Sequence, residues 1–339
     1  MTPRPIEIVG GGLAGLSLGL ALRREAVSVR ILEAGSYPRH RVCGEFIAGL
    51  SAATIARLGL EAALAGALPH TEVAWFHLEK SVRIQRLPSP ALGLSRHVLD
   101  QRLAEEFVRA GGVLETNARV TDPRPRPGRV LATGRRRGRP AWLGLKLHAH
   151  HLPLSRGLEL HLGDEAYVGL SAVGAGRVNV CGLFRRRSLC AKGPDLLLAY
   201  LAAAGLGALA TRLEEVELDP ASFSAVAALG FDRSVPATDC IQLGDACAMI
   251  PPFTGNGMAM AFQSAEIALA PLLAYARGRA PWLATCRVIQ QRLARRFRVR
   301  LASASALHPY FLRPRRQSWL SLLSRAHLLP LRPLYATLH

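Results

Sequence analysis

The chain is 339 residues long, with half of its residues apolar and a fifth charged, a globular composition with length for a large core in one or two domains. It carries 43 basic against 24 acidic residues, a formal charge of +19, yet the arginines are scattered and no aromatic residues interleave them, so nucleic-acid binding is not expected. Abundant Arg, Ala, Gly and Leu together suggest a GC-rich coding bias as one source of the charge; attraction to an anionic membrane or an acidic carrier protein is another.

In chain order, Ile6–Val9 reads as a short strand, Leu13–Arg24 as a helix opening in glycines, and Val27–Ala34 as a second strand, together the size of a βαβ unit. Residues 35–50 form a Gly-, Pro- and Arg-rich loop, and Leu50–Leu68 is helical. Val73–Leu87 alternates like a half-buried antiparallel strand or hairpin. His97–Ala110 is a helix stopped by Gly111 and Gly112, and Val113–Thr116 is a strand. Asp122–Arg129 packs prolines among arginines, a surface turn. From Leu143 to Phe184, strand-like runs separated by turn signals imply an antiparallel sheet. Asp195–Ala204 is a helix, Cys240–Leu243 a strand and Asn256–Ala276 a long helix. From Arg287 the chain is basic and helical, with breaks expected at Pro309, Pro314, Pro330 and Pro333.

No window holds the roughly 18–20 uninterrupted apolar residues of a membrane span. Ile8–Leu22 and Leu196–Ala210 come nearest, with 15 uncharged residues each. The former opens on a glycine triplet and reads as a nucleotide motif, not a signal peptide, so the expected compartment is the cytoplasm. Cys43, Cys181, Cys190, Cys240, Cys247 and Cys286 show no CxxC pair or zinc spacing, and free thiols are expected.

Two motifs carry chemistry. Gly10, Gly12 and Gly15 form GxGxxG between a strand and a helix: the first allows the tight turn, the second admits a pyrophosphate to the backbone, and the third lets helix and strand pack closely. The helix N-terminus faces the phosphates with its positive end. Glu33, 21 positions after Gly12 at the end of the second strand, can bind both hydroxyls of an unphosphorylated ribose, which favours FAD or NAD over NADP. The second motif runs Gly244-Asp245 to Pro251-Pro252 and on to Gly255-Asn256-Gly257-Met258. Asp245 can accept a ribityl hydroxyl, and the helix start at Asn256 can stabilise negative charge at a flavin ring.

This second run resembles the GD…P…G.G segment of FAD-dependent oxidoreductases of the geranylgeranyl-reductase and aromatic-hydroxylase superfamily. Pro38-Arg39-His40-Arg41-Val42-Cys43-Gly44-Glu45 is similar to the P-R-x-x-x-C-G loop of its reductase branch, Arg96-His97-Val98-Leu99-Asp100 to the R-x-x-L-D helix start, and Ala132-Thr133-Gly134 to the turn closing an FAD-domain strand. The resemblance covers residues 6 to about 275. It implies an α/β fold: a Rossmann-type FAD domain (1–70, 96–142 and 235–280), an antiparallel-sheet substrate domain (71–95 and 143–234) and a basic helical C-terminal region (281–339). The implied flavin contacts are Gly10, Gly12, Leu13, Ala14, Gly15, Glu33, Ala34, Arg39, Arg41, Cys43, Gly44, Arg96, Gly244, Asp245, Pro251, Gly255, Asn256, Gly257 and Met258.

Cys43 and Glu45 are the candidate catalytic residues, and a thiol beside Arg39 and Arg41 is expected to have a lowered pKa. The implied activity is hydride transfer between flavin and an apolar prenyl, lipid or polyketide substrate, free or carrier-bound. The alternative is a monooxygenase of an aromatic or polyketide substrate using NAD(P)H and O2. No second GxGxxG signals a nicotinamide site, so the electron donor, NAD(P)H or another reductant, stays open. His148 and His150 would share a strand face, but with no third ligand nearby in sequence no metal is expected. The basic tail, with an apolar stripe around Trp319, suits either a peripheral membrane contact or docking on the core.

Overall fold

The computed structural model describes residues 3–122, 124–135, 141–229, 231, 238–329 and 331–338. Strand β1 (Ile6–Val9) and helix α1 (Leu13–Arg24) have the bounds the pattern predicts. Gly15 allows their close turn, since a methyl group on it would lie 2.0 Å from the Gly10 carbonyl oxygen. After β2 (Val29–Leu32) the expected loop is irregular except for β3 (Phe46–Ile47). Helix α2 (Ala52–Leu58) is much shorter than Leu50–Leu68: Ser51 caps its start, and Gly59 ends it in the left-handed region at φ 70°.

The hairpin of β4 (Leu68–His77) and β5 (Lys80–Gly93) overshoots its predicted span at both ends. Helix α3 (Arg96–Arg109) starts at a Ser95 cap, and β6 (Val113–Glu115) and β7 (Arg129–Leu131) follow. The turn before β7 is exposed at residues 124–127; its Pro123 lies outside the described residues. Next come β8 (Trp142–His150), β9 (Leu158–Gly163), β10 (Ala166–Gly174) and β11 (Arg177–Arg185), the expected run of strands. Helix α4 (Pro194–Ala203) is followed by α5 (Gly207–Glu214) and β12 (Leu218–Ala227), neither of them signalled by the sequence pattern. Then come β13 (Ile241–Gln242), two 3-10 turns at Gly244–Ala246 and Pro252–Thr254, and α6 (Gly257–Ala276).

The tail holds α7 (Trp282–Leu312), α8 (Pro314–Arg325) and α9 (Leu331–Leu338). Pro309 does not break α7 outright; the helix runs three residues beyond it to Leu312 before Arg313 turns extended. Pro314 opens α8 and Pro333 lies in the first turn of α9, positions where proline fits. Pro330 lies outside the described residues.

Two sheets result. One is five-stranded and wholly parallel, in the order β13-β7-β1-β2-β6. The other has eight strands, β12-β8-β11-β10-β9-β4-β5-β3, antiparallel save for the parallel β4–β9 pair. The 70/71 boundary drawn from the sequence cuts through β4, and the 234/235 boundary lies outside the described residues. Helix α1 is buried from Leu13 to Leu22; Gly19 leaves room there for Phe107 of α3, 2.9 Å from where a methyl would stand. Leu145, Leu147, Val178 and Val180 on one face of the eight-stranded sheet pack with Leu197, Leu201 and Leu213 of α4 and α5. Helix α6 is long and apolar enough to cross a membrane by composition alone, but Glu266 interrupts it and 61% of its most apolar window is buried in the protein. All six cysteines are free thiols.

Phe107, with no exposed surface, anchors α3 against α1. Phe107→Ala is expected to destabilise the protein by about 3–5 kcal/mol in chemical denaturation; a loss below about 1 kcal/mol would show that this contact does not hold the layer together.

Candidate functional site

The glycine turn after β1 is built as its motif requires. A methyl on Gly10, which has φ 108°, would meet the Ala132 carbonyl oxygen at 2.2 Å, whereas one on Gly12 would meet nothing within 4 Å. The turn is therefore packed on its inner side and open at Gly12, where a phosphate would approach. Leu13 and Ala14 are buried in the first turn of α1, and Ala34 is exposed. Glu33, 5% exposed, accepts from the Gly11 N–H at 2.7 Å, the Gly35 N–H at 2.9 Å and Arg39 Nη2 at 2.6 Å. Burial alone would raise its pKa, but the Gly35 N–H, Arg39, the Gly11 N–H and Arg41 outweigh it and hold the carboxyl below its usual range. Both oxygens that were expected to meet a ribose thus already tie the turn to the loop, and Tyr37 Oη adds a bond to the Gly11 carbonyl.

The loop after β2 crosses to the eight-stranded sheet, whose strand registers explain how it is held. Ser171, Asn179 and His148 stand opposite one another across β10, β11 and β8, and Gly169, Cys181 and Lys146 form the next row on the same face. Each loop residue meets one of them. Asn179 Nδ2 donates to the Cys43 carbonyl at 3.0 Å, and Ser171 Oγ donates to the Gly44 carbonyl at 2.7 Å. Glu45 Oε2 bonds His148 Nε2 at 2.6 Å, while Lys146 Nζ is 3.6 Å from Oε1. The N-terminus of α3 closes the arrangement: the Arg96 N–H donates to Glu45 Oε1 at 3.0 Å, and Ser95 Oγ donates to the same oxygen at 3.4 Å.

Glu45, Lys146 and His148 have no exposed surface. Burial alone would raise the pKa of Glu45, but His148, Lys146 and the Arg96 N–H together lower it. Burial also lowers the pKa of Lys146, against the pull of Glu45. Lys146 Nζ lies 2.9 Å from His40 Nδ1. Burial, Lys146, His97 and His148 bring the His40 pKa down to about 4, so its ring is neutral at physiological pH. The ligating atoms of His40, Glu45 and His148 lie within 4.8 Å of one another, a grouping that local sequence could not show, because the loop supplies two of the three. The ammonium of Lys146 already provides positive charge there.

Arg96 forms a two-pronged pair with buried Asp100, at 2.6 and 2.8 Å, and Arg41 Nε joins the same carboxylate at 3.0 Å. The expectation for Cys43 is corrected: its thiol pKa is raised, because burial outweighs the neighbouring Arg96 and the Glu45 N–H, while Arg39 and Arg41 are engaged with Glu33 and Asp100.

Cys43 and Gly44 line a cavity of about 300 Å³, at the lower end of the usual ligand-pocket range of about 300–1,000 Å³. Its walls are mostly apolar, from Trp75, Leu160, Tyr167, Phe253, Phe311 and Leu338, and Asp245 opens into it. Asp245 is reachable by solvent yet surrounded by protein, so desolvation raises its pKa against the effect of Arg96, Arg135 and Arg41. Of the second motif, Asp245, Met249, Pro252, Phe253 and Thr254 reach the cavity. Gly244 instead donates to Ser264 Oγ at 2.9 Å. Gly255 lies under the Phe46 ring, where a methyl would come within 2.1 Å. Asn256, 1% exposed, donates through Nδ2 to the Leu338 carbonyl at 2.6 Å. Phe46 thus covers Gly255 and α9 engages Asn256, while Gly257 at the start of α6 has open space beside it; Pro251, Gly257 and Met258 do not line the cavity.

The unpaired polar atoms fit FAD. Arg39 Nε and Arg41 Nη2 are buried donors without a partner among the described residues, suited to pyrophosphate oxygens. Gly12 leaves its backbone open, and Asp245 is an acceptor on the cavity wall. Sequence reasoning missed Lys146, His40, Ser171 and Asn179. The available signal was Lys146 and His148 at alternate positions within an apolar strand, which puts two polar side chains on one face.

No family model matches the chain, and no curated protein matches it by sequence. Solved structures do match its fold. The flavin-dependent brominase Bmp2 superposes with a TM-score of 0.75 at 17% identity, over 98% of this chain and 92% of its own. PqsL of Pseudomonas aeruginosa, described as a probable FAD-dependent monooxygenase, gives 0.69 at 16% identity over 93% and 98%. A geranylgeranyl bacteriochlorophyll reductase-like protein of Thermoplasma acidophilum gives 0.75 at 15% over 98% and 95%. The chain thus has the Rossmann-type, two-sheet fold shared by these proteins.

Glu45→Gln leaves the Lys146 ammonium buried without a carboxylate, and a loss of about 3–5 kcal/mol in stability is expected, largely recovered in the Glu45→Gln/Lys146→Met double variant. The parent loses the Glu45 contribution only as pH falls below about 5, because a carboxyl with a lowered folded pKa stabilises above its unfolded value. Acid denaturation curves of the two proteins should converge at low pH; parallel curves would contradict this assignment.

Proposed function

We propose that the protein is an FAD-dependent oxidoreductase that transfers hydride between bound flavin and a carbon–carbon bond of an apolar prenyl, lipid or polyketide substrate. The observation that carries this reading is the Cys43–Glu45 loop, fixed by the sheet along the wall of an apolar cavity into which Asp245 also opens. Bound flavin would supply or take up the hydride; the remaining tasks fall to the chain. The open Gly12 backbone and the unpaired Arg39 and Arg41 donors would hold the pyrophosphate, and Asp245 a ribityl hydroxyl. Burial keeps the Cys43 thiol protonated, so it can hold a proton at Sγ beside the reacting carbon, with Arg96 near enough to offset charge left behind. The apolar walls exclude water. Trp75 lines the cavity with an indole N–H that has no partner among the described residues, a donor for one polar group on an otherwise apolar substrate.

A monooxygenase using O2 and NAD(P)H is the second reading, favoured by the fold shared with PqsL. Anaerobic reduction of the flavin-loaded protein, followed by mixing with air in a stopped-flow cell, separates the two. Direct reoxidation without a spectrally distinct transient, with and without candidate substrates, is the expected result; a transient that decays with substrate hydroxylation would favour the monooxygenase. Failure of the loaded flavin to be reduced by any nicotinamide or artificial donor would count against both.

A further inference from the structure

The charge of this chain is unevenly placed. All 24 acidic residues precede residue 267, and the last 73 residues hold 13 arginines, no lysine and no acid. A GC-rich coding bias enriches arginine but does not remove aspartate and glutamate, whose codons are compatible with it.

Helix α8 displays this charge beside apolar side chains. Its inner face, with Gln317, Leu320, Ser321 and Ser324, is buried; Gln317 Nε2 donates to the carbonyls of Gly163 and Phe311 at 2.8 Å each. Its outer face carries Arg315, Trp319 and Leu322 at helical spacing, with Arg325 a turn further on. Trp319 is 63% exposed, Leu322 58%, and Leu328 just past the helix 69%. Among the described residues Leu328 and Trp319 are the two most exposed large apolar side chains. A nucleic acid would pair the arginines and stack on the one indole but leave Leu322 and Leu328 uncovered, whereas a phospholipid surface takes up both the charge and the apolar side chains. A second copy of the chain would set arginine against arginine.

We propose that α8 and the turn after it seat the protein on an anionic phospholipid surface, with the arginines at the phosphates and Trp319, Leu322 and Leu328 at the acyl boundary. Leu320 on the inner face of α8, with Leu334 and Leu338 of α9, lines the cavity, so docking places the lipid phase beside the helices that wall it. That last consequence rests on the oxidoreductase reading; the docking does not.

The test sediments the full chain with vesicles of phosphatidylcholine, with and without phosphatidylglycerol. Binding is expected only with phosphatidylglycerol and should weaken steeply with added salt. Arg313 is exposed just before the first residue of α8, and Arg313→Gln/Arg315→Gln should bind about 25-fold more weakly, some fivefold for each charge lost. Trp319→Ser/Leu322→Ser should also lose affinity at unchanged charge, with the melting temperature of each variant matching the parent. Equal sedimentation with both vesicle types, or none at low salt, overturns the proposal, as does parent-like binding by either variant. Capture by an acidic protein in place of the anionic vesicles would overturn it too and assign the patch to a protein partner.

Discussion

The buried carboxylate of Glu45 is the constraint on which the site depends. It joins three parts of the molecule that have little else in common: the loop leaving the parallel sheet, the N-terminus of α3, and the far face of the eight-stranded sheet. Its backbone lies in the left-handed region at φ 55°, a conformation that costs a non-glycine residue free energy and persists only where the surroundings enforce it. His148, Lys146 and two groups at the head of α3 supply that enforcement. Isolated, the charge would be too costly to bury; paired and hydrogen-bonded, it fixes the register of the loop. Cys43 and Gly44, bonded through their carbonyls to Asn179 and Ser171 respectively, are held beside it at the cavity wall.

A second charged group continues from this anchor. Asp100 gathers Arg96 and Arg41, placing one guanidinium beside Cys43 and the other toward Glu33. The result is a positive strip between the glycine turn and the cavity, closed at its ends by the carboxylates of Glu33 and Asp245. An anion with hydroxyl-bearing groups on both sides matches that sequence of charges, and a dinucleotide cofactor has that form. The engagement of Asn256 by α9 qualifies the match: the hydrogen bond from Asn256 to Leu338 makes α9 part of the wall, so the C-terminal helix takes part in shaping the cavity.

What the sequence revealed followed from how local each feature is. The β1–α1 unit was legible to the residue, because glycine spacing and apolar periodicity are short-range and agree. Helix α2 was overdrawn because the apolar run continues past Gly59 while the backbone does not. Strand β3 was invisible: two residues form a strand only because Leu92 and Gly93 lie beside them. In the candidate site the motifs single out Glu33, Cys43 and Asp245, which lie at the glycine turn and on the cavity wall. They do not single out the partners that decide the local chemistry, since Lys146 and His148 lie about a hundred residues from Glu45 in sequence. The expectation of a lowered thiol pKa at Cys43 fails for the same reason, because burial outweighs Arg96 while the adjacent Arg39 and Arg41 are engaged with carboxylates.

A glycine turn and a cavity that form one extended site for a dinucleotide flavin must distinguish FAD from FMN. Equilibrium titration of the flavin-free protein with FAD and, separately, with FMN tests it most directly. FAD is expected to bind with quenched flavin fluorescence, and FMN, lacking the adenosine half that would lie along the Gly12 turn, about tenfold or more weakly, at least 1.4 kcal/mol less. Equal affinity for the two, or no binding of either, would contradict it.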